Sequence, residues 1–182
     1  LIVEVNRAQP LELSRLHDVY RFDRPQYRDP IPIRRPGDRI GDTAVEFDSE
    51  KLVAVVETDR RDEPYTFRTP TDVDRRIADN LRELLEAETE RSPLFQDSVR
   101  LQFGVGSLGN ALMGALEDAA FGGKELIYFG EVIQDGLLNL LDDGRLRAAS
   151  ATSLALSEDG QDRLFADIDR YADDIVLRLA DV

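Results

Sequence analysis

Val99-Arg100-Leu101-Gln102-Phe103-Gly104-Val105-Gly106-Ser107-Leu108-Gly109 decides how this chain reads, because a strand pattern gives way there to a helix pattern across a run of glycines. Val99, Leu101 and Phe103 alternate with polar residues and so share one face of a strand. Leu108, Leu112, Ala115, Leu116 and Ala119 then recur at helical spacing. The alternation repeats downstream. Leu126 to Phe129 is a short apolar strand, followed by a helix with Ile133, Leu137, Leu140 and Leu141 inside and Gly144 as its stop. Ala148 to Leu156 reads as a strand rich in small residues, Leu164, Phe165, Ile168 and Tyr171 as a helix, and Ile175 to Leu179 as a closing strand. Strand and helix in repeated alternation predict an α/β fold, an open and mainly parallel sheet covered by helices. Ligands of such sheets bind beyond the carboxyl ends of the strands, so chemistry is to be sought at Gly104 and Gly130.

Upstream the pattern is looser. Leu1 to Val5 reads as a buried strand, whereas residues 7 to 50 carry scattered prolines (Pro10, Pro25, Pro30, Pro32, Pro36) and no sustained period, which predicts a long irregular excursion. Leu52 to Val56 is a strand ended by the charged stretch Thr58 to Glu63. Behind a start signal at Thr69 and Pro70, residues Val73, Ile77, Leu81, Leu84 and Leu85 recur at helical spacing. The change of character places a domain boundary near residue 68, with residues 1–68 ending a first domain and connecting it to a second in 69–182. Both ends read as strands without a polar lead-in, the pattern expected of an internal fragment of a longer, two-domain protein.

Composition narrows the function. The 182 residues suffice for one buried domain or slightly more. Lys and Arg total 23 against 37 Asp and Glu, a formal charge of −14 that repels nucleic-acid backbones and anionic lipid alike. Lysine occurs only at Lys51 and Lys124, and we read the acidic, arginine-bearing surface as adaptation to high salt. The absence of cysteine removes disulfides, thiolate metal sites and Cys nucleophiles, and a single histidine, His17, argues against a zinc site, so no metal is expected. No apolar run approaches the roughly 18 residues of a membrane span and no leader pattern opens the chain, so a soluble, cytoplasmic protein is expected.

Gly104-Val105-Gly106-Ser107-Leu108-Gly109 fits G-x-G-x-x-G, and Glu131 follows it by 22 residues at the next strand's end. By pattern this is a dinucleotide fingerprint with its ribose-binding acid, which would make the protein an NAD-dependent oxidoreductase. The physical content is broader: glycines admit a bulky ligand to the backbone, and helix-start amides favour an anion. A strand-to-helix turn can also be glycine-rich with no ligand at all. Glu131 likewise admits three roles: acceptor from a ribose, covalent nucleophile at an acyl carbon, or a helix-start carboxylate favoured by the dipole. Ser150, Thr152 and Ser153 bring hydroxyls nearby but no histidine to form a triad, and Asp142-Asp143 and Asp173-Asp174 read as solvated helix ends.

The ordered series Ile2-Val3-Glu4-Val5-Asn6, Pro10-Leu11-Glu12-Leu13, His17-Asp18-Val19-Tyr20, Pro30-Ile31-Pro32-Ile33, Asp38-Arg39-Ile40-Gly41, Val56-Glu57-Thr58-Asp59, Leu101 to Gly106, Glu131 to Gly136 and Ala149 to Leu154 resembles the acetyl-CoA hydrolase/transferase family. That family includes succinyl-CoA:acetate and other carboxylate CoA-transferases. The resemblance implies two related open α/β/α domains, with Glu131 as covalent nucleophile and Gly104, Val105, Gly106, Ser107 and Leu108 lining the coenzyme A site, continued by Asn110. It implies acyl-CoA and a small carboxylate as partners, coenzyme A as substrate with no separate cofactor, and a homodimer as the candidate assembly. Phe129-Gly130 stands where the family more usually has a Tyr-Thr or His-Ser pair, and further segments carrying an Asn and a Gly-rich loop are expected after Leu179. A noncatalytic CoA-binding module, or a subunit needing a partner, remains the alternative. The shared-site reading requires Gly104 and Glu131 at the carboxyl ends of adjacent or near-adjacent strands.

Overall fold

The computed structural model describes residues 1–21, 27 and 29–179; Pro25 and the end of the chain beyond Leu179 lie outside the described residues. The main sheet has five strands: β2 (His17–Asp18), β4 (Ser98–Leu101), β5 (Glu125–Phe129), β7 (Leu146–Ala151) and β9 (Ile175–Arg178). Their order is β2-β9-β7-β5-β4 and every pairing is parallel. All four residues of β9 are buried, as befits an inner parallel strand covered on both faces. Small residues in β7 (Ala148, Ala149, Ala151) let covering elements approach closely, and Leu126, Val99, Ile175 and Val176 fill the layers on either side.

Among the described residues there are five α-helices: α1 (Asp72–Arg91), α2 (Ser107–Glu117), α3 (Asp135–Asp142), α4 (Glu158–Ala166) and the short α5 (Ile168–Tyr171). α1 packs on α2, α2 on α3, and α3 on β7. Leu137, Leu138 and Leu140 of α3 and Leu116 of α2 are the buried stripe of that layer. α1 starts two residues later than the Thr-Pro signal suggests. Thr71 caps it: its side chain accepts from the Asp74 amide, and the Asp74 carboxylate accepts from the Thr71 amide at 2.8 Å. Gly144 ends α3 with φ +68°, the left-handed position that a helix stop requires.

Several boundaries differ from the sequence pattern. Ile133 lies not in the helix but in a short strand, β6 (Val132–Ile133), which pairs in parallel with β8 (Ser153–Leu154). The expected strand 148–156 is therefore two strands bent at Thr152, and the expected helix over 164–171 breaks at Asp167, which caps α5 by accepting from the Arg170 amide. The irregular excursion contributes more than expected. Residues Leu11–Leu16 form a 3-10 helix that buries Leu16, and β2 joins the main sheet beside β9. One strand of that sheet thus comes from the N-terminal side of residue 68.

Asp18 in β2 and Arg178 in β9 form a buried ion pair at 3.0 Å; Asp18 also accepts the amides of Ile40 and Gly41, and Arg178 donates to Ser150 Oγ and the Asp38 carbonyl. Arg39 donates to the carbonyls of Leu16, Ala172 and Ile175, and burial lowers its basicity from the usual guanidinium range. These arginines fasten the excursion to the sheet by hydrogen bonds where its sequence lacks apolar period. Separately, β1 (Ile2–Asn6) and β3 (Ala54–Thr58) pair in parallel, with Ile2, Val5, Val55 and Val56 exposed.

Candidate functional site

β4 and β5 are adjacent parallel strands with Leu101 opposite Tyr128, so Gly104 and Glu131 leave the sheet at the carboxyl ends of neighbouring strands, as the shared-site reading requires. Gly104, Val105, Gly106 and Leu108 are exposed in the turn, with Ser107 half-buried at the start of α2. Gly106 takes φ +140°, a backbone state side chains rarely allow. Gly109 has a different reason: a Cβ there would overlap the carbonyl oxygen of Gly104, so the first turn of α2 closes tightly on the loop. Ser107 also lies close enough to Asp74 at the start of α1 for its hydroxyl to help hold that carboxyl below the usual carboxylate range, behind the larger effects of the Thr71 amide and hydroxyl. A carboxylate therefore already stands beside the α2 N-terminus.

Glu131 occupies the corner between β5 and β6, with its side chain exposed. Its carbonyl is held twice by Thr152, from the backbone amide at 3.0 Å and from Oγ1 at 2.8 Å, while the preceding Gly130 amide donates to the Ser150 carbonyl at 2.9 Å. The helix-start role is excluded for Glu131: α3 begins at Asp135 with Gln134 as its cap residue. On the other side, the buried Tyr128 donates from its hydroxyl to the Phe103 carbonyl at 3.0 Å, and the two rings lie 5.1 Å apart at 57°. Beyond Thr152, a hollow of about 460 Å³ is bounded by His17, Val45, Thr152, Leu177 and Leu179.

Over 178 residues the chain is 39% identical to succinyl-CoA:acetate CoA-transferase of Clostridium kluyveri and 38% identical to acetyl-CoA hydrolase of Neurospora crassa; each alignment covers 98% of this chain and 33% of the relative. The chain is homologous to the acetyl-CoA hydrolase/CoA-transferase family. Acetyl-CoA hydrolase of Saccharomyces cerevisiae aligns over the same share at 35% identity. The chain thus spans about a third of the length of the curated relatives it matches. RipA from Yersinia pestis shares the fold, with a TM-score of 0.55 at 20% identity over 97% of this chain and 32% of that one. No family model matches the chain.

Among residues that sequence reasoning set aside, Thr152 and Tyr128 carry the contacts that build the corner. Thr152 reads as a packing hydroxyl and Tyr128 as an ordinary apolar strand residue; neither has a spacing that signals its partner. Asp135 accepts hydrogen bonds from the amide and hydroxyl of Ser157 and joins the starts of α3 and α4. Asp142 is likewise engaged, by the Tyr171 hydroxyl at 2.9 Å and by Arg170 at 2.8 Å. Asp174 pairs with Arg147 at 3.2 Å, yet burial raises its carboxyl above the ordinary value despite that arginine. Asn110 donates to the Arg68 carbonyl at 3.4 Å, and the His17 ring meets the Thr43 carbonyl at 3.2 Å. Among the described residues no cluster of His, Cys, Asp and Glu could hold a metal ion, and no helix is long and apolar enough to cross a membrane.

Proposed function

We propose that this sequence carries the glutamate half of a CoA-transferase or acyl-CoA hydrolase site, with Glu131 as the nucleophile and Gly104 to Leu108 receiving coenzyme A. The observation that carries the reading is the pairing of a glycine turn and an exposed glutamate at the ends of adjacent parallel strands, in a chain homologous to such enzymes. The Glu131 carboxylate attacks the thioester carbonyl carbon of an acyl-CoA; the C–S bond breaks and an acyl-glutamyl anhydride forms as CoA thiolate leaves. The thiolate then attacks the glutamyl carbonyl carbon, expelling the first carboxylate and leaving a glutamyl-CoA thioester. A second carboxylate reverses both steps and departs as its own CoA ester, whereas water hydrolyses the thioester. A carboxylate is a modest nucleophile, so the rate must come from binding energy of the CoA chain used for positioning and from donors to the developing oxyanion.

NAD and coenzyme A both carry a pyrophosphate, so the glycine turn alone does not choose between them, and the similarity to CoA enzymes favours coenzyme A. Residues 1–68 are proposed as the end and connector of one α/β unit and 69–182 as the opening of a second. The exposed apolar faces of β1 and β3 support this, since parallel strands are normally covered on both sides. A small carboxylate as acceptor, a cytoplasmic location and a homodimer belong to the same proposal.

The test is a trap. Full-length protein incubated with acyl-CoA but no acceptor, then treated with borohydride, should show the glutamyl thioester reduced to an alcohol in the peptide from Gly130 to Arg145. Glu131→Ala should lose the adduct and turnover together while still binding CoA, and Glu131→Asp should turn over roughly 100-fold more slowly because the charge is misplaced by a methylene. Near wild-type turnover by Glu131→Ala would remove the nucleophile assignment, and CoA binding without any adduct in the wild type would favour the noncatalytic module.

A further inference from the structure

Two loops must keep a fixed separation for the proposed chemistry, and one side chain spans them. The Tyr128 hydroxyl donates to the carbonyl of Phe103, the last residue before the glycine turn, while its ring lies against Gly130, the residue before Glu131. The contact with Gly130 is close: a Cβ there would collide with the hydroxyl and Cζ and come within 2.9 Å of Cε1. Burial, and then the Glu131 charge, push that hydroxyl above the ordinary tyrosine range. Thr152 holds Glu131 at the end of β7, and among the described residues its recorded hydrogen bonds go to Glu131 and not to the glycine turn. Strand pairing between β4 and β5 ends at Leu101 and Tyr128, leaving the two loops free of each other in the ladder itself.

We infer that Tyr128 is a positioning residue, a strut that sets the distance between the CoA-receiving turn and Glu131. The inference rests on the proposed function above. It predicts a defect in alignment, with little change in ligand affinity, because the hydroxyl faces a backbone carbonyl and not the solvent-exposed surface of the turn. Tyr128→Phe keeps the ring against Gly130 and removes the strut alone.

In the full-length protein, Tyr128→Phe should lower kcat about tenfold with KM for the acyl-CoA changed less than twofold. Single-turnover trapping should still give one glutamyl adduct per site, formed about tenfold more slowly. That split distinguishes misalignment from loss of folded enzyme, which would reduce the amplitude and leave the rate of the remaining sites intact. A wild-type rate of adduct formation, a reduced amplitude at wild-type rate, or a variant that does not fold would each overturn the strut. Glu131→Ala in the same assay separates the two levels: if it is inert while Tyr128→Phe is normal, only the strut falls, and if it turns over, both fall.

Discussion

Gly130 owes its identity to a neighbour. Its φ is not positive, so any residue could adopt the backbone, but the Tyr128 ring already fills the space a Cβ would take. Gly130→Ala is therefore an overpacking change in a tight corner, expected to destabilise by about 1–3 kcal/mol and to slow adduct formation at least as much as Tyr128→Phe. Thermal melting together with trapping rates on the same preparations checks this; an alanine variant with wild-type stability and rate would show that the ring moves aside freely. The departure from the family's usual Tyr-Thr or His-Ser pair was legible in the sequence, but its cause was not. A collision between residues two apart on one strand face depends on the rotamer of the tyrosine, and no pattern of residue types records that. Thr152 was opaque for a related reason, since its hydroxyl becomes a clamp only because the chain bends there between β7 and β8.

α1 is the element whose start depends most visibly on titration. Asp74 and Thr71 form a reciprocal cap, and the Thr71 amide, then its hydroxyl, hold the Asp74 carboxyl below the ordinary value near 3.8. A depressed carboxylate contributes fully above its unfolded value and loses that contribution as pH falls through the lower folded one. The first turn of α1 should thus stay capped through the ordinary carboxylate range and open only as pH falls below it, visible as lost protection of the Asp74 and Arg75 amides, relative to their intrinsic exchange at each pH, before the sheet amides respond. Thr71→Ala should abolish the pH step and cost about 1 kcal/mol; an unchanged exchange profile in that variant would show that packing on α2 fixes the start instead. At this scale the sequence was informative where a period is long. α1, α2, α3, β4, β5 and β9 were all legible to within a few residues. β2, β6 and β8, two residues each, carry no period and are defined only by their partners.

Across the whole molecule the charge of −14 sets the response to salt. Exposed ion pairs such as Arg7–Glu57 and Arg60–Glu63 contribute little each and weaken on screening, whereas the surplus of carboxylates repels at longer range. Net relief should dominate, so the melting temperature should rise between about 0.1 M and 1 M NaCl, where the screening length falls from roughly 10 to 3 Å. A midpoint that falls across that range would mean that the ion pairs outweigh the surplus and would remove the reading of a salt-adapted surface. The parallel α/β architecture and the sheet edge bearing the candidate site were legible because both follow from repeated alternation. The docking of the N-terminal excursion was not, because it depends on arginine side chains meeting backbone carbonyls.

The buried pair of Asp18 and Arg178 joins residues 160 apart in the chain. During synthesis at roughly 5–20 residues per second, β2 leaves the ribosome on the order of ten to thirty seconds before the strand it lies against exists. Through that interval the sheet can assemble outward from β5 and β7, whereas its first-made strand must wait unpaired in a proline-bearing segment. The order of birth and the order of assembly are thus opposed at this edge, and a ribosome pausing before Ile175 would hold back both seams of β9, the one with β7 and the one with β2.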